Sequence, residues 1–411
     1  MTVSATARPE HGFRLSQLIY DTRYRSTTIQ VVAMFAFMLA VGWVVNNAIQ
    51  NLEALGKSFS FSFLFSTSGY DVNQRLLEYS SQSTHGRAAI LGILNTLVLA
   101  LVGCITATIL GVLAGVARLS KNWIVARLMT VYVEGFRNVP VLLWIIVITA
   151  MVNESMPSPR DYRGVETGAF VFTNRGFYFP EALFSHGLGD LDLGLFKVSL
   201  DLMAIIAVLA AGIYAAKRIG RAADVKQAET GVRPRVFWYR VAAIFLPTIA
   251  LLLFLGFHIG YPELAGFNFK GGTFLRDSFI GLWLALSLYT GAFIAENVRA
   301  GIQAVSKGQT EAAYALGLRP SRTMKLVILP QAMRVIVPPL ISQYLNLTKN
   351  TSLAIAVGYM DATGTLGGIT LNQTGREMET LLLLMGFYLI ISLSISFVMN
   401  VYNERMKLRE R

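Results

Sequence analysis

Residues 311–330 read EAAYALGLRPSRTMKLVILP, a polar stretch that lies between two very apolar segments. Its first half is rich in helix formers, and Gly317 follows them with a backbone that can turn. Pro320 then permits a second helix to begin near Ser321, and Pro330 is expected to end that helix. The stretch therefore predicts a helix, a turn and a second helix outside the membrane, which suits a docking element.

The bulk composition is that of a polytopic membrane protein. Of the 411 residues, 54% are hydrophobic and only 15% are charged, and the mean hydropathy is +0.52. The single cysteine, Cys104, excludes an intrachain disulfide, and the four histidines are too scattered to predict a metal site. The net charge of +12 would suggest nucleic acid in a soluble protein, but here its distribution indicates membrane topology.

Eight apolar segments are long enough to be membrane spans. They are residues 28–47, 88–117, 128–152, 198–216, 241–260, 279–295, 333–358 and 381–399. The sequence therefore predicts an all-α polytopic membrane protein with about eight transmembrane helices. In the second segment, Gly111 and Gly115 stand four residues apart, so they either let two helices approach closely or are merely small residues within a helix.

The basic residues between the segments indicate the orientation in the membrane. With both termini in the cytoplasm, the inner segments hold 24 of the 36 lysines and arginines and the outer segments hold 10. Because cytoplasmic loops carry the excess of basic residues, this orientation is favoured, and it places residues 311–330 in the cytoplasm. The basic loop 217–240 has the same ordinary explanation, although nucleic acid or anionic lipid would also attract it.

Polar side chains inside the predicted spans are candidates for a substrate pathway, because charges at that depth are costly unless they face each other, water or a substrate. Glu134 precedes Arg137 and Asn138 by three and four residues, so the three share one helical face. They contact a substrate or, alternatively, hold the helix end through an intrahelical ion pair. The candidate pathway residues are Asn95, Glu134, Arg137, Asn138, Glu296, Asn297, Lys349, Asn350 and Thr351.

The spacing within residues 311–330 is specific: Glu-Ala-Ala, three residues, Gly317, nine residues, an aliphatic residue, one residue and Leu-Pro. This pattern resembles the signature loop of ABC importer permeases, with Val327 where that family has Ile. Four further runs resemble permeases for histidine, glutamine and other polar amino acids: 134–140, 289–302, 329–332 and 347–353. Asn350 stands where such permeases often carry Asp, and Val139 replaces their usual Thr.

The resemblance implies a five-helix type I importer permease core, made of residues 88–152 and 276–404 and including a cytoplasmic coupling loop at 299–334. Such long permeases resemble the importers for general L-amino acids or for glutamate, glutamine, aspartate and asparagine. The other segments would be additions to the core. They are a cytoplasmic tail 1–27, an extra first transmembrane helix 28–49, a periplasmic loop 50–87, an insertion 153–275 with a periplasmic loop and two helices, and a C-terminal tail 405–411.

The resemblance also implies partners. The chain would work beside a second, paralogous permease, two cytoplasmic ATPases and a periplasmic amino-acid-binding protein, in contact with membrane lipid and without nucleic acid. It would bind no cofactor directly, because ATP and Mg would lie on the ATPases. The run Gly56-Lys57-Ser58 is not a phosphate loop, since Asn51 stands where a Walker A motif needs Gly. The ATPase-coupling residues would be Glu311, Ala312, Ala313, Gly317, Leu329 and Pro330.

An amino acid brings a carboxylate and an ammonium, so we expect Arg137 or Lys349 to meet carboxylates and Glu134 or Glu296 to meet the ammonium. The alternative for Glu296 is that it braces the coupling loop together with Arg299. An ion-coupled secondary transporter would also carry buried charges, but it gives no account of the Glu-Ala-Ala loop. A membrane enzyme would need a nucleophile with a base or a metal pattern, and the sequence offers neither.

Overall fold

The computed structural model describes residues 17–20, 22–54, 56, 59–72, 74–165, 168–192, 194 and 197–406. Most of the predicted N-terminal and C-terminal tails therefore lies outside the described residues, as do Lys57 and Ser58. The chain forms two compact units, residues 1–61 and residues 62–411.

The described residues form helices and short strands. The helices are α1 (Gln17–Tyr20), α2 (Thr22–Ala54), α3 (His85–Ala117), α4 (Trp123–Asn138), α5 (Val141–Ser155), α6 (Leu200–Thr230), α7 (Phe237–Phe254), α8 (Asp277–Gln303), α9 (Lys307–Ala315), α10 (Pro320–Thr323), α11 (Leu329–Asn350), α12 (Leu371–Thr374) and α13 (Glu377–Met406). The strands are β1 (Val171–Thr173), β2 (Gly176–Phe179), β3 (Glu181–Phe184), β4 (Asp190–Asp192), β5 (Lys197–Ser199), β6 (Phe257–Gly260), β7 (Glu263–Ala265), β8 (Asn268–Lys270) and β9 (Thr273–Arg276).

Eight helical segments among the described residues are long and apolar enough to cross a membrane, which confirms the predicted number. They are 24–54, 85–117, 141–162, 200–230, 237–254, 277–303, 320–357 and 377–404. The prediction of a helical, polytopic membrane fold is confirmed with them. The strands were not predicted, and those described all lie between α5 and α8.

Helix α2 makes up most of the first unit. Its apolar side chains are exposed all around the helix, for example Leu39 at 74% and Trp43 at 67%. An apolar helix with no polar face is stable in lipid, because hydrocarbon replaces the protein core as its surroundings. The exposure therefore fits a membrane span.

The predicted single helix over residues 128–152 is wrong, because α4 ends at Asn138 and α5 begins at Val141. Pro140 between them lacks a backbone N–H and disfavours helical geometry at the residue before it, so Val139 adopts an extended conformation. The third candidate span consequently starts at residue 141. Glu134 and Arg137 thus lie at the end of α4 and not in the middle of a span.

Helices α3 and α8 form the centre of the second unit, and glycines set their separation. A Cβ atom on Gly111 would lie 2.6 Å from the Cβ atom of Ile294 and 2.8 Å from the carbonyl oxygen of Gly291. A Cβ atom on Gly115 would lie 2.6 Å from the carbonyl oxygen of Ala295. These distances are shorter than real contacts, so the interpretation that Gly111 and Gly115 let two helices approach closely is confirmed.

Replacing Gly111 by Ala is expected to destabilise the helix pair by about 1–3 kcal/mol, because the methyl group forces two packed backbones apart. The matched control is Gly135→Ala in α4, where the added Cβ atom would meet nothing within 4 Å. That change is expected to be neutral or to stabilise the helix by up to about 1 kcal/mol. Melting midpoints measured by fluorescence-detected size exclusion in detergent compare the two, and equal midpoints would contradict the packing assigned to Gly111.

The strands form small antiparallel sheets that lead the chain into α8. The largest has the order β1-β2-β9, with Val171 opposite Tyr178 and Tyr178 opposite Phe274. Its strands are rich in aromatic and β-branched residues, which favour extended structure. Because β9 ends at Arg276 and α8 begins at Asp277, this sheet fixes the first turn of α8.

Candidate functional site

The stretch 311–330 folds as a helix, a turn and a second helix, which confirms its local prediction. Helix α9 is followed by Gly317 with a φ of +75°, a left-handed conformation that favours glycine. The N–H of Leu318 donates to the carbonyl of Ala313 over 3.1 Å, and the N–H of Gly317 donates to the carbonyl of Tyr314 over 2.9 Å. These bonds close the end of α9 and fix the direction of the turn.

The second helix does not stop at Pro330, so that part of the prediction is wrong. Helix α10 continues through a π-helical segment, Met324–Ile328, into α11. The N–H of Leu329 donates to the carbonyl of Met324, one residue further back than in an α-helix. A π-turn of this kind is where a helix can accommodate an irregularity such as the missing N–H of Pro330. The loop is therefore joined to the following span by unbroken helix.

Helix α9 presents one face to solvent and packs its other face inward. We define the coupling face as Glu311, Ala312, Tyr314 and Leu316, all of which are exposed, with Leu316 at 81%. Ala313 is buried at 4% exposure, so of the two neighbouring alanines only Ala312 faces solvent. Leu329 and Pro330, the other residues predicted for coupling, are exposed at the start of α11.

One side-chain contact ties α9 to the following span, and a close approach behind the loop packs the two flanking spans together. The side-chain amide of Gln331 donates to the side-chain oxygen of Gln309 over 3.4 Å and to the carbonyl of Val327 over 3.0 Å. Behind the loop, Gly301 of α8 approaches α11 so closely that a Cβ atom would lie 2.3 Å from Cγ1 of Ile336. Helix α9 therefore contacts α11, which is itself packed tightly against α8.

Three arginines converge on the carboxylate of Glu296. Nη1 of Arg118, which follows α3, lies 2.6 Å from Oε2 of Glu296, and Nε of Arg299 donates to the same oxygen over 3.1 Å. Nη2 of Arg299 also donates to Oε1 of Glu296. Nη1 of Arg137 is 3.8 Å from Oε2, and its guanidinium lies 5.4 Å from the centre of the Phe293 ring. Helices α3, α4 and α8 are thus joined at one acidic group.

Glu134 completes this group, which we call the arginine–glutamate cluster: Arg118, Glu134, Arg137, Glu296 and Arg299. Oε1 of Glu134 is 3.5 Å from Nη2 of Arg118. The described contacts include no ion pair between Glu134 and Arg137, so the alternative of an intrahelical ion pair at this helix end is wrong. Asn138 instead donates to the backbone carbonyl of Glu134 over 2.8 Å. The helix end is held by the chain segment after α3 and by its own backbone.

The cluster has unused donors and an excess of positive charge. It contains three guanidinium groups and two carboxylates, and the Arg118 side chain is only 10% exposed. Nε of Arg137 is buried without a hydrogen-bond partner among the described residues, and so is Nδ2 of Asn297, the residue after Glu296. Buried donors normally have hydrogen-bond partners, so these two nitrogens would suit a ligand that carries a carboxylate or a carbonyl group.

Lys349, Asn350 and Thr351 lie apart from the cluster, at the end of α11. Lys349 is exposed and Asn350 half-buried, whereas Thr351 is buried and donates to the carbonyl of Thr348 over 2.7 Å. Lys349 borders a cavity of about 410 Å³, which we call the lysine cavity. Its other lining residues are Ser352, Thr363, Leu384, Met385 and Tyr388.

Asp361 lies behind the lysine cavity and was missed by the sequence reasoning. It is fully buried, accepts the N–H of Gly364 over 2.8 Å and accepts the hydroxyl of Tyr388 over 3.4 Å. Burial raises the pKa of Asp361 to about 7, although backbone hydrogen bonds from Gly364 and Thr363 oppose that rise. No local motif marks this group, because Lys349 lies on α11, Tyr388 on α13 and Asp361 in the segment between them, and only tertiary packing brings the three together.

Asn95 is fully buried and contacts neither the cluster nor the lysine cavity. Its side-chain amide donates to the carbonyl of Gln74 over 3.1 Å and to the carbonyl of Met360 over 2.9 Å. One turn earlier, a Cβ atom on Gly92 would lie 2.7 Å from the carbonyl oxygen of Asp361. These contacts join the first half of α3 to the segment before α12. The predicted pathway residues therefore fall into three separate places.

Comparison with known proteins bears on what these sites serve. Residues 230–408 match the family model described as binding-protein-dependent transport system inner membrane component. The chain is 56% identical over 99% of its length, and 99% of the relative's, to the glutamate/glutamine/aspartate/asparagine transport system permease protein BztB of Rhodobacter capsulatus. It is 41% identical, over 97% of its length and 96% of the relative's, to the general L-amino acid transport system permease protein AapQ of Rhizobium johnstonii.

Proposed function

The chain belongs to the bacterial family of ABC amino-acid permeases, and from this membership we propose that it forms the pathway by which polar L-amino acids enter the cell. Members of the family are non-enzymatic, multi-pass membrane subunits that work with ATPase and substrate-binding partners. The proposed substrates are glutamate, glutamine, aspartate and asparagine, or a wider range of L-amino acids, as the names of the two relatives suggest.

The proposed assembly contains this chain, a second and paralogous permease, two cytoplasmic ATPases and a periplasmic amino-acid-binding protein. ATP and Mg would be bound by the ATPases and not by this chain. Both termini would face the cytoplasm of a cell whose inner membrane holds the complex. The excess of basic residues in the inner segments supports this orientation.

The coupling face carries the proposed connection to an ATPase. It is exposed on α9, which Ala313 braces from behind, and the turn at Gly317 joins α9 to α10 and through it to α11. Glu311 offers a carboxylate to a basic partner residue, and the small Ala312 permits close docking. Movement of the ATPases would then displace α9, and α11 and α8 would move with it because Gly301 packs against Ile336.

The arginine–glutamate cluster and the lysine cavity are the proposed substrate contacts. Nε of Arg137 in the cluster and Nδ2 of Asn297, the residue after Glu296, are buried donors that a passing carboxylate or carbonyl would satisfy. In the lysine cavity, Lys349 offers a cation beside the hydroxyl groups of Thr363 and Tyr388. Two separate anion-attracting positions suit a pathway along which a dicarboxylic amino acid moves stepwise.

The test is ATP hydrolysis by the complex. The chain is copurified with its ATPase and the second permease, placed in lipid nanodiscs and supplied with binding protein that is loaded with L-glutamate or empty. Loaded binding protein is expected to raise the rate of ATP hydrolysis severalfold above the rate with empty binding protein. Uptake of glutamate by vesicles without ATP, driven by a sodium or proton gradient alone, would overturn the proposal.

A further inference from the structure

A polar cleft of about 410 Å³ lies at the start of α8, outside the sites described above. We call it the outer cleft, and it is lined by Asn174, Arg175, Asn268, Phe274, Arg276 and Asp277. These residues come from the β1–β2 turn, from β8, from β9 and from the first turn of α8. Glu296 is 19 positions further along α8 than Asp277, about 29 Å at the helical rise, so the cleft is distinct from the arginine–glutamate cluster.

The charges of the outer cleft are of both signs. Nε of Arg276 is 3.6 Å from Oδ1 of Asp277, and these side chains are 30% and 19% exposed. The two terminal nitrogens of Arg276 have no partner among the described residues. Arg175 uses Nη1 to donate to the carbonyl of Phe267 over 3.1 Å, which leaves its Nη2 unpaired within the described part of the chain. Two guanidiniums and one carboxylate give the cleft an excess of one positive charge.

Two asparagines add hydrogen-bonding groups to the same cleft. Oδ1 of Asn174 is buried and has no donor among the described residues. Oδ1 of Asn268 accepts the hydroxyl of Tyr178 over 2.9 Å, which leaves the amide nitrogen of Asn268 available to donate. The cleft therefore offers donors for carboxylates together with the Asp277 carboxylate and one buried acceptor for an ammonium group.

The backbone around the cleft is fixed before any ligand arrives. In the β1–β2 turn, the hydroxyl of Thr173 donates to the carbonyl of Gly176 over 2.8 Å and accepts the N–H of Arg175 over 3.3 Å. Gly176 has a φ of +146°, and a Cβ atom there would lie 2.4 Å from Cε2 of Phe274. Only glycine lets β2 pack against Phe274 in this way, so the turn that carries Asn174 and Arg175 is held in place.

We propose that the outer cleft binds an amino acid with a side-chain carboxylate, with Arg175 and Arg276 receiving its two carboxylates and Asp277 and Asn174 its ammonium group. Such a ligand has a net charge of −1, which balances the charge of the cleft. The cleft then binds the substrate on the periplasmic side of the permease, before the substrate enters the pathway. This inference rests on the proposed function, because it takes the start of α8 to face the periplasm and the substrate to be an amino acid.

The test is binding of radiolabelled L-glutamate to the complex in nanodiscs without binding protein, measured by equilibrium dialysis. Arg276→Gln and Arg175→Gln are each expected to weaken this binding about tenfold or more, because each removes charge-assisted hydrogen bonds to a carboxylate. L-Lysine is expected to compete poorly. The control is Arg160→Gln, an arginine of the same region that stacks on Phe267 and does not line the cleft. It is expected to leave the affinity unchanged.

Two outcomes would overturn the inference. One is glutamate binding at wild-type affinity in both Arg276→Gln and Arg175→Gln, and the other is no glutamate binding by the wild-type complex. ATP hydrolysis stimulated by loaded binding protein is measured on the same samples. If this stimulated ATP hydrolysis persists in either case, the proposed function stands and only the assignment of glutamate binding to the outer cleft is wrong. If it is absent from the wild-type complex, the proposed function fails as well. Because Arg175 lies exposed in a turn, its variant tests the cleft even if Arg276→Gln disturbs the start of α8.

Discussion

Replacing Glu296 by Gln is expected to lower the free energy of unfolding by about 2 kcal/mol and to abolish transport, because the arginines around this partly buried carboxylate lose their shared charged acceptor. Arg118 is the most affected partner, since its side chain is only 10% exposed and its Nη1 lies 2.6 Å from Glu296. Arg299 and Arg137 lose the same counter-charge. Melting midpoints of the purified chain and vesicle uptake of glutamate are the two measurements.

The matched control for Glu296→Gln is Asp224→Asn. It also turns a carboxylate into an amide, but the ion pair of Asp224 with Arg233 is exposed, at 60% and 55%. Exposed pairs contribute little, so the control is expected to cost less than about 1 kcal/mol and to preserve transport. Glu296→Asp keeps the charge and is expected to restore part of the stability. A Glu296→Gln chain that melts and transports like the wild type would show that the cluster neither braces the helices nor serves the pathway.

Glu311→Arg is expected to reduce the ATP hydrolysis stimulated by loaded binding protein about tenfold or more, because a reversed charge on the coupling face repels a basic partner residue. Glu311 is exposed and no ion pair or hydrogen bond of its side chain is among the described contacts. The change should therefore leave membrane insertion and the melting midpoint of the isolated chain unaltered. This separation of coupling from folding is the informative result.

Glu229→Arg provides the control for the coupling face. It reverses the same charge at an exposed position near the end of α6, also on the side proposed to be cytoplasmic. Stimulated ATP hydrolysis is expected to stay at the wild-type rate in this variant. Wild-type stimulation in the Glu311→Arg complex would remove the coupling assignment from α9, whereas equal losses in both variants would point to a general effect of charge.

Several local features were predictable because they depend on neighbouring residues. Gly317 after a run of helix formers predicted the end of α9, and the structure has a left-handed glycine there. The pair Gly111 and Gly115 offered the close approach of two helices as one of two interpretations, which the structure confirms, although the partner helix α8 could not be named from spacing alone.

Other features were misread because the same local signal has more than one outcome. Pro140 lies between two apolar runs and breaks the chain into α4 and α5, whereas Pro330 is absorbed by a π-turn within continuous helix. A proline removes one hydrogen bond in either case, and the packing around it decides whether the helix ends or deforms. Residues 128–152 were accordingly predicted as one helix and residues 321–330 as a helix that stops.

The sequence by itself determined the number of spans, the helical class of the fold, the signature loop and the family, because hydropathy, helix propensity and motif spacing are properties of contiguous residues. Only the tertiary structure decided which charges meet. Arg118 and Glu296 are far apart in the chain, and Asp361 and Tyr388 belong to different segments, so their contacts arise from the packing of helices. The same packing turns Ala312 outward and Ala313 inward, because burial of one face of α9 stabilises the loop and leaves the other face free to dock.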